Sequence, residues 1–96
     1  MTDRQILRLI GENVRKARLE ANLTQECLAE LIDATWQTIS YLENGHRPFS
    51  VIRFARICQS LNISADRLLE GMQPMAPGRL ERVKKVLARK RNPSNA

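Results

Sequence analysis

Cysteine, histidine and aromatic residues are scarce in this 96-residue sequence, and each scarcity excludes a class of protein. The two cysteines, Cys27 and Cys58, lie far apart without a CxxC spacing, and His46 is the only histidine. They do not suggest a zinc site, a redox pair or a nucleophilic catalytic set, so we expect no metal, no cofactor and no enzyme activity. The four aromatic residues argue against a large flat binding surface.

The sequence also lacks a long hydrophobic run. No segment approaches the roughly 18 apolar residues that a membrane-spanning helix needs. Asp3, Arg4 and Arg8 interrupt the first apolar stretch, where a signal peptide would begin. We therefore predict a cytoplasmic protein without a membrane partner. With 43% apolar residues, a chain of this length suffices for one modest globular domain but not for a second core.

Charge is distributed unevenly along the chain. Residues 1–78 contain nine basic and nine acidic residues, whereas residues 79–96 contain seven basic residues and Glu81 as the only acid. The whole net charge of +6 therefore lies at the C-terminal end. A polyanion is one partner that fits this end, and a solvated, solubilising tail is the alternative.

Apolar residues recur every three to four positions, which predicts an all-α fold without strands. Five helices are expected in the body, each preceded by a hydroxyl residue that can cap it: Thr2, Thr24, Thr35, Ser50 and Ser64. The residues predicted to face the core are, for the first helix, Ile6, Ile10, Val14, Ala17 and Ala21; for the second, Leu28, Ala29, Leu31 and Ile32; and for the fourth, Val51, Phe54, Ala55, Cys58 and Leu61.

Prolines and glycines interrupt this helical pattern near its end, at Gly71, Pro74, Pro77 and Gly78. We therefore predict a domain at residues 1–71, a linker at residues 72–78 and a basic C-terminal helix or tail at residues 79–96. A sixth helix from Arg79 to Arg91, followed by a frayed end, has a narrow apolar stripe of Leu80, Val83, Val86 and Leu87.

Residues 24–45, TQECLAELIDATWQTISYLENG, resemble the helix-turn-helix of the phage-repressor, Cro and XRE family of bacterial DNA-binding regulators. The resemblance extends upstream to residues 10–25, IGENVRKARLEANLTQ, and downstream to residues 50–71, SVIRFARICQSLNISADRLLEG. It implies a compact five-helix repressor-like DNA-binding domain. In such a domain the third helix, here residues 35–44, lies in the major groove.

The third helix is expected to present one face to base edges. Ile39 and Leu42 are predicted to face inward, which turns outward the predicted base-contacting residues Trp36, Gln37, Ser40 and Tyr41. Gln37 is the principal candidate, because its amide offers both a donor and an acceptor to adenine. The two aromatic rings either pack on thymine methyl groups or cover the edge of the core, and the phenol can instead reach a phosphate.

The resemblance also implies phosphate-binding residues on either side of the third helix, namely Thr24, Gln25, Asn44, His46 and Arg47. An exposed polar loop is the alternative interpretation of the last three. Arg18 and Glu43 occupy positions at which family members often form a partly buried ion pair. Where the family usually has glycine, this chain has Asn22, Asp33 and Asn62, which tolerate the left-handed backbone conformation.

Two hypotheses concern the basic end of the chain. In the first, it lies along flanking DNA phosphates or in a minor groove. In the second, its apolar stripe packs on the body or on a second subunit, with Ile52 as a further subunit contact. The residues assigned to accessory DNA or dimer contacts are Arg79, Arg82, Lys84, Lys85 and Arg89. A homodimer would bind a palindromic operator with its two third helices roughly 34 Å apart.

The sequence therefore predicts a transcriptional regulator that binds a specific double-stranded DNA sequence and acts as a repressor. The alternative is an antitoxin-like module that binds a partner protein and autoregulates its own promoter. An adaptor that has the fold without DNA binding is disfavoured by Gln25, Gln37 and Arg47, which stand where DNA contacts are expected.

Overall fold

The computed structural model describes residues 1–73 and 77–90 and forms six helices in that part of the chain. They are α1 (Asp3–Glu20), α2 (Gln25–Leu31), α3 (Trp36–Glu43), α4 (Val51–Leu61), α5 (Ala65–Leu68) and α6 (Pro77–Lys90). These residues contain no strand, so the all-α prediction is confirmed. No helix within them is both long and apolar enough to cross a membrane.

Hydroxyl side chains determine where most of the helices begin. Four of the five predicted caps accept a hydrogen bond from a backbone N–H three residues further on, those of Thr2, Thr24, Thr35 and Ser50. Such a cap contributes about 1 kcal/mol to helix stability. Ser64 is the N-cap residue of α5, as predicted, but its side chain makes no cap hydrogen bond. Leu68 in the single turn of α5 is fully buried.

Three residues other than glycine take the left-handed conformation in the turns after helices. Asn22, Asp33 and Asn62 have φ angles of 59°, 55° and 53°, as the sequence predicts for these positions. Asn and Asp adopt this region more readily than other side chains because their short polar groups can bond locally. The turn at Asp33 joins α2 to α3 and thereby sets the angle of the helix-turn-helix.

The core lies among α1 to α5. Its buried apolar side chains form one cluster: Ile10, Val14, Leu28, Ala29, Ile32, Ile39, Leu42, Ile57 and Leu68. Full burial of each larger aliphatic side chain contributes about 1.5 to 3 kcal/mol. Because this cluster joins residues from α1 to α5, it fixes the position of α3 relative to the other helices.

The predicted core faces are wrong at four positions. Leu31 is 55% exposed, Val51 is 82% exposed, and Ala21 and Ala55 are also exposed. Ile57, which we did not predict to face the core, is fully buried. The residues of α4 that pack on the core are three to four positions apart, on a face that excludes Val51 and Ala55. It consists of Phe54, Ile57, Cys58 and Leu61.

Gly11 sets the distance between α1 and α3. It is buried near the middle of α1, and a Cβ added there would lie 2.6 Å from the carbonyl oxygen of Glu43 and closer still to that of Leu42. Any other residue would force the two helices apart. Glycine in a helix costs about 0.5 to 1 kcal/mol relative to alanine, and the close packing of α3 on α1 offsets that cost.

Helix α6 begins two residues before the predicted start at Arg79. Pro77 and Gly78, which we assigned to the linker, form its first turn, because proline needs no backbone donor at the start of a helix. Residues 74–76 of the predicted linker, Arg91 and the predicted frayed end at residues 92–96 lie outside the described residues. The apolar stripe of α6 is 38–47% exposed, and the extensive helix–helix contacts all lie among α1 to α5.

Candidate nucleic-acid interface

One face of α3 presents polar and aromatic side chains to solvent. The four predicted base-contacting residues lie on the side opposite Ile39 and Leu42, which are buried; they are Trp36, Gln37, Ser40 and Tyr41. The rings of Trp36 and Tyr41 are 49% and 42% exposed, and Gln37 is exposed. Ser40 is only half-buried rather than fully outward. This face therefore offers an amide and two ring surfaces to a partner.

Glu43 joins the end of α3 to α1 and α2. Arg18 donates from Nε to Glu43 Oε2 at 2.7 Å and from Nη2 to Oε1 at 3.0 Å, and both residues are buried. Gln25 Nε2 donates to the same Oε1 at 3.2 Å. The hydrogen bond to Glu43 raises the pKa of Arg18 above its ordinary value, although desolvation opposes the increase. The ion pair implied by the resemblance is thus present, and it fixes α3 to its neighbours.

The predicted phosphate-binding residues before α3 have partners within the fold. Gln25 is half-buried and directs its amide N–H toward Glu43. The hydroxyl of Thr24 accepts from the backbone N–H of Cys27 as the cap of α2. Gln25 Nε2 has a second N–H that is not used in this bond, and a phosphate requires such donors. A phosphate role for these two side chains stays a prediction.

The predicted phosphate-binding residues after α3 cluster around one ring. The guanidinium of Arg47 lies 4.6 Å from the centroid of the Tyr41 ring, and the His46 ring meets the same ring edge-on at 6.4 Å. An exposed cation–π contact contributes about 0.5 to 1 kcal/mol. Asn44 Nδ2 donates to the Ser40 carbonyl oxygen at 2.8 Å. The Tyr41 ring that we assigned to bases therefore also contacts the arginine that we assigned to phosphate.

A cleft that sequence reasoning did not anticipate adjoins this loop. It has a volume of about 520 Å³ and is lined by Arg4, Leu7, Arg8, Asn44, Gly45 and His46. From the sequence, we considered Arg4 and Arg8 only as part of the zero net charge of residues 1–78. Their spacing of four residues, which places both on one face of a helix, is the feature that indicates a shared surface.

The residues of α6 that we assigned to accessory contacts are exposed: Arg79, Arg82, Lys84, Lys85 and Arg89. Lys84 Nζ lies 3.5 Å from Glu81 Oε1, an exposed pair within the helix. Both sides of α6, the apolar stripe and the basic residues, are therefore accessible to a partner.

The two cysteines are free thiols, with Cys27 exposed and Cys58 half-buried. Burial raises the pKa of the Cys58 thiol, so it is less reactive as a nucleophile. In residues 1–73 and 77–90, no group of three or more His, Cys, Asp or Glu side chains could hold a metal ion. The expectation of no metal or cofactor stays a prediction.

Comparison with known sequences identifies the family. The helix-turn-helix family model matches residues 14–68, which is more than half of the chain. Two curated proteins are similar, the uncharacterized HTH-type transcriptional regulators RP497 of Rickettsia prowazekii (strain Madrid E) and RC0668 of Rickettsia conorii (strain ATCC VR-613 / Malish 7). Each is 33% identical over 64 residues, or 67% of this chain, and the chain spans 49% and 51% of their lengths.

Solved structures share the fold. The restriction-modification controller protein C.AhdI from Aeromonas hydrophila is similar with a TM-score of 0.62 and 27% identity, over 65% of this chain and 94% of that protein. The clp gene regulator ClgR from Corynebacterium glutamicum is similar with a TM-score of 0.66 and 27% identity, over 88% of this chain and 87% of that protein. As the resemblance predicts, the chain belongs to the helix-turn-helix family of the Cro and XRE type, a family of DNA-binding transcriptional regulators and not of enzymes.

Proposed function

We propose that this chain is a sequence-specific transcriptional repressor that places α3 in the major groove of double-stranded DNA. The observation that carries the proposal is the exposed face of α3, where Gln37, Trp36 and Tyr41 are all accessible. The buried pair of Arg18 and Glu43 holds that helix in place. A helix held rigidly presents its side chains at fixed positions, which discrimination between base pairs requires.

The side chains of α3 favour A·T base pairs. The amide of Gln37 can donate to and accept from one adenine, a contact that contributes about 1 to 3 kcal/mol of discrimination. Trp36 and Tyr41 offer apolar surface to thymine methyl groups. Because α3 contains no Lys or Arg, it lacks the side chains that most often contact guanine. We therefore expect A·T pairs at the positions that α3 contacts.

Phosphate contacts beside α3 supply much of the affinity and set the orientation on the duplex. Arg47 is the main candidate, because its guanidinium is exposed and oriented by the Tyr41 ring. Asn44 and His46 precede it and are also exposed. Gln25 and Thr24 at the start of α2 remain secondary candidates. A DNA target agrees with the cytoplasmic location that the sequence predicts.

We further propose that two chains pair through α6. A helix of 14 residues is marginally stable alone in water, and its apolar stripe is 38–47% exposed. Packing the stripes of two copies against each other removes this apolar surface from water. A dimer of this kind binds a palindromic operator with half-sites roughly 34 Å apart. By occupying a promoter it would exclude polymerase and repress transcription.

The exposed stripe of α6 also favours one alternative, an antitoxin-like chain that covers it with a partner protein. Sedimentation of the purified chain distinguishes the homodimer from the antitoxin-like alternative. A dimer that becomes a monomer after truncation at Gln73 supports self-association through α6. A purified chain that is monomeric at full length contradicts it, and association of that monomer with a separate protein would favour the antitoxin.

Selection of bound fragments from a random DNA pool at a stated salt concentration tests the proposal as a whole. The expected product is a palindrome whose half-sites contain A·T pairs and lie one helical turn apart. Enrichment of no common sequence would contradict specific binding. Enrichment of a single half-site would retain specific binding but reject the dimer.

A further inference from the structure

A basic cleft lies between the first two turns of α1 and the loop after α3. We call it the α1–loop cleft; it has a volume of about 520 Å³. Its lining includes two guanidinium groups, the His46 imidazole and the Asn44 amide, together with Leu7 and Gly45. No carboxylate is among these lining residues. The cleft therefore favours an anion over a cation or a neutral ligand.

Gly45 holds Arg8 beside the loop. Its φ of 70° is left-handed, and a Cβ added there would lie 2.7 Å from Arg8 Cγ and 2.9 Å from Arg8 Cα. The backbone of the loop thus packs directly on α1 at Arg8, and only glycine permits this approach. As a result, this contact holds the backbone and the first side-chain atoms of Arg8 beside Asn44 and His46.

Neither guanidinium of the cleft is paired with an acid. Arg4 and Arg8 are exposed and form no hydrogen bond or ion pair with a described residue, whereas Arg18 and Arg67 both bind carboxylates. An adjoining cavity of about 110 Å³ brings Arg15 near Arg8, along with Glu12 and Glu43. Glu43 is already neutralised by Arg18, and the charge of Arg15 offsets that of Glu12, so the adjoining cavity does not cancel the positive potential of the cleft.

We propose that the α1–loop cleft binds a backbone phosphate of the DNA, with Arg8 and Arg4 as its cationic ligands. The cleft shares Asn44 and His46 with the loop that follows α3, so it continues the surface that faces the nucleic acid. This inference rests on the proposed DNA binding. It adds helix α1 to the elements that contact the duplex and supplies a neutral body with phosphate contacts independent of α6.

The salt dependence of binding to the selected duplex tests this site in the full chain. Each lost phosphate contact lowers the slope of log affinity against log salt by about 1. Arg8→Gln should therefore lower the slope by about 1, and Arg4→Gln/Arg8→Gln by about 2, with equal effects on selected and unrelated duplexes. The matched control is Lys16→Gln, which removes one exposed charge from the same helix outside the cleft and should leave the slope unchanged.

The inference is overturned if Arg8→Gln and Lys16→Gln show the same slope while both retain the wild-type melting temperature. A wild-type chain without preference among duplexes would instead reject the proposed function itself.

A second experiment measures how inorganic phosphate, at constant ionic strength, changes the melting temperature of wild type and of Arg8→Gln. Equal stabilisation of wild type and Arg8→Gln by phosphate supports a DNA ligand. Stabilisation of wild type alone, with no change in slope, assigns the cleft to a free anion and overturns the proposal.

Discussion

The body formed by α1 to α5 and the helix α6 use their charges in opposite ways. In the body, acids and bases are equal in number, Arg18 is buried against Glu43 at 2.7 Å, and Arg67 bridges two carboxylates. On α6, basic residues exceed acidic ones, and the pair of Lys84 and Glu81 lies in solvent at 3.5 Å. The paired charges of the body therefore hold its helices together, whereas those of α6 are directed outward. Changes to the buried contacts of the body should lower stability, and changes to its exposed arginines or to α6 should lower binding alone.

The sharpest test of that separation removes the buried ion pair. Arg18→Ala leaves Glu43 buried without its partner, which should lower the free energy of unfolding by about 3 to 5 kcal/mol. The control is Arg67→Ala, whose contacts with Glu20 and Glu70 lie at the surface and contribute about 1 kcal/mol or less. Urea denaturation measures both variants. Equal losses would show that burial of the Arg18 pair has no special consequence.

A second test compares glycines in the two regions. Gly11→Ala places a Cβ against the backbone carbonyls of α3 and should destabilise the body by about 1 to 3 kcal/mol. Gly78→Ala in α6 meets no atom within 4 Å, so it should not destabilise the protein and should slightly favour the helix. Thermal unfolding measures both variants. A Gly11→Ala variant as stable as wild type would contradict the close approach of α1 and α3.

Removal of α6 should have the smallest effect on the stability of the body. Truncation after Gln73 deletes no buried core side chain, so the free energy of unfolding should change by about 0.5 kcal/mol or less. Fluorescence of Trp36, the single tryptophan, follows unfolding of the body alone. A loss above about 1 kcal/mol would mean that α6 supports the body and that the two regions are not separate.

Features that depend on neighbours in the sequence were predictable. The caps at Thr24 and Thr35 need only a backbone N–H three residues away, so a residue type at one position identifies them. The left-handed turn at Asp33 is likewise local. The inward position of Ile39 on α3 follows from helical periodicity, which places the candidate DNA-contacting face opposite to it.

Contacts between distant positions were not predictable from these rules. The Nδ2 of Asn13 donates at 2.9 Å to the carbonyl oxygens of both Leu68 and Glu70, which fixes α1 to the end of α5. The packing of Gly45 against Arg8 also joins residues far apart in sequence. No periodicity encodes such pairs, because they depend on how the helices are arranged in space. The α1–loop cleft was missed for the same reason.

Binding of Gln37→Ala to the selected duplex tests the central claim most directly. Gln37 is exposed, so its replacement should leave the melting temperature unchanged while the affinity for the selected duplex falls by about 1 to 3 kcal/mol. Affinity for an unrelated duplex should stay the same, and Gln59→Ala, an exposed glutamine on α4, should behave like wild type in both measurements. If Gln37→Ala retains the full preference for the selected duplex, α3 does not determine the sequence that this protein binds.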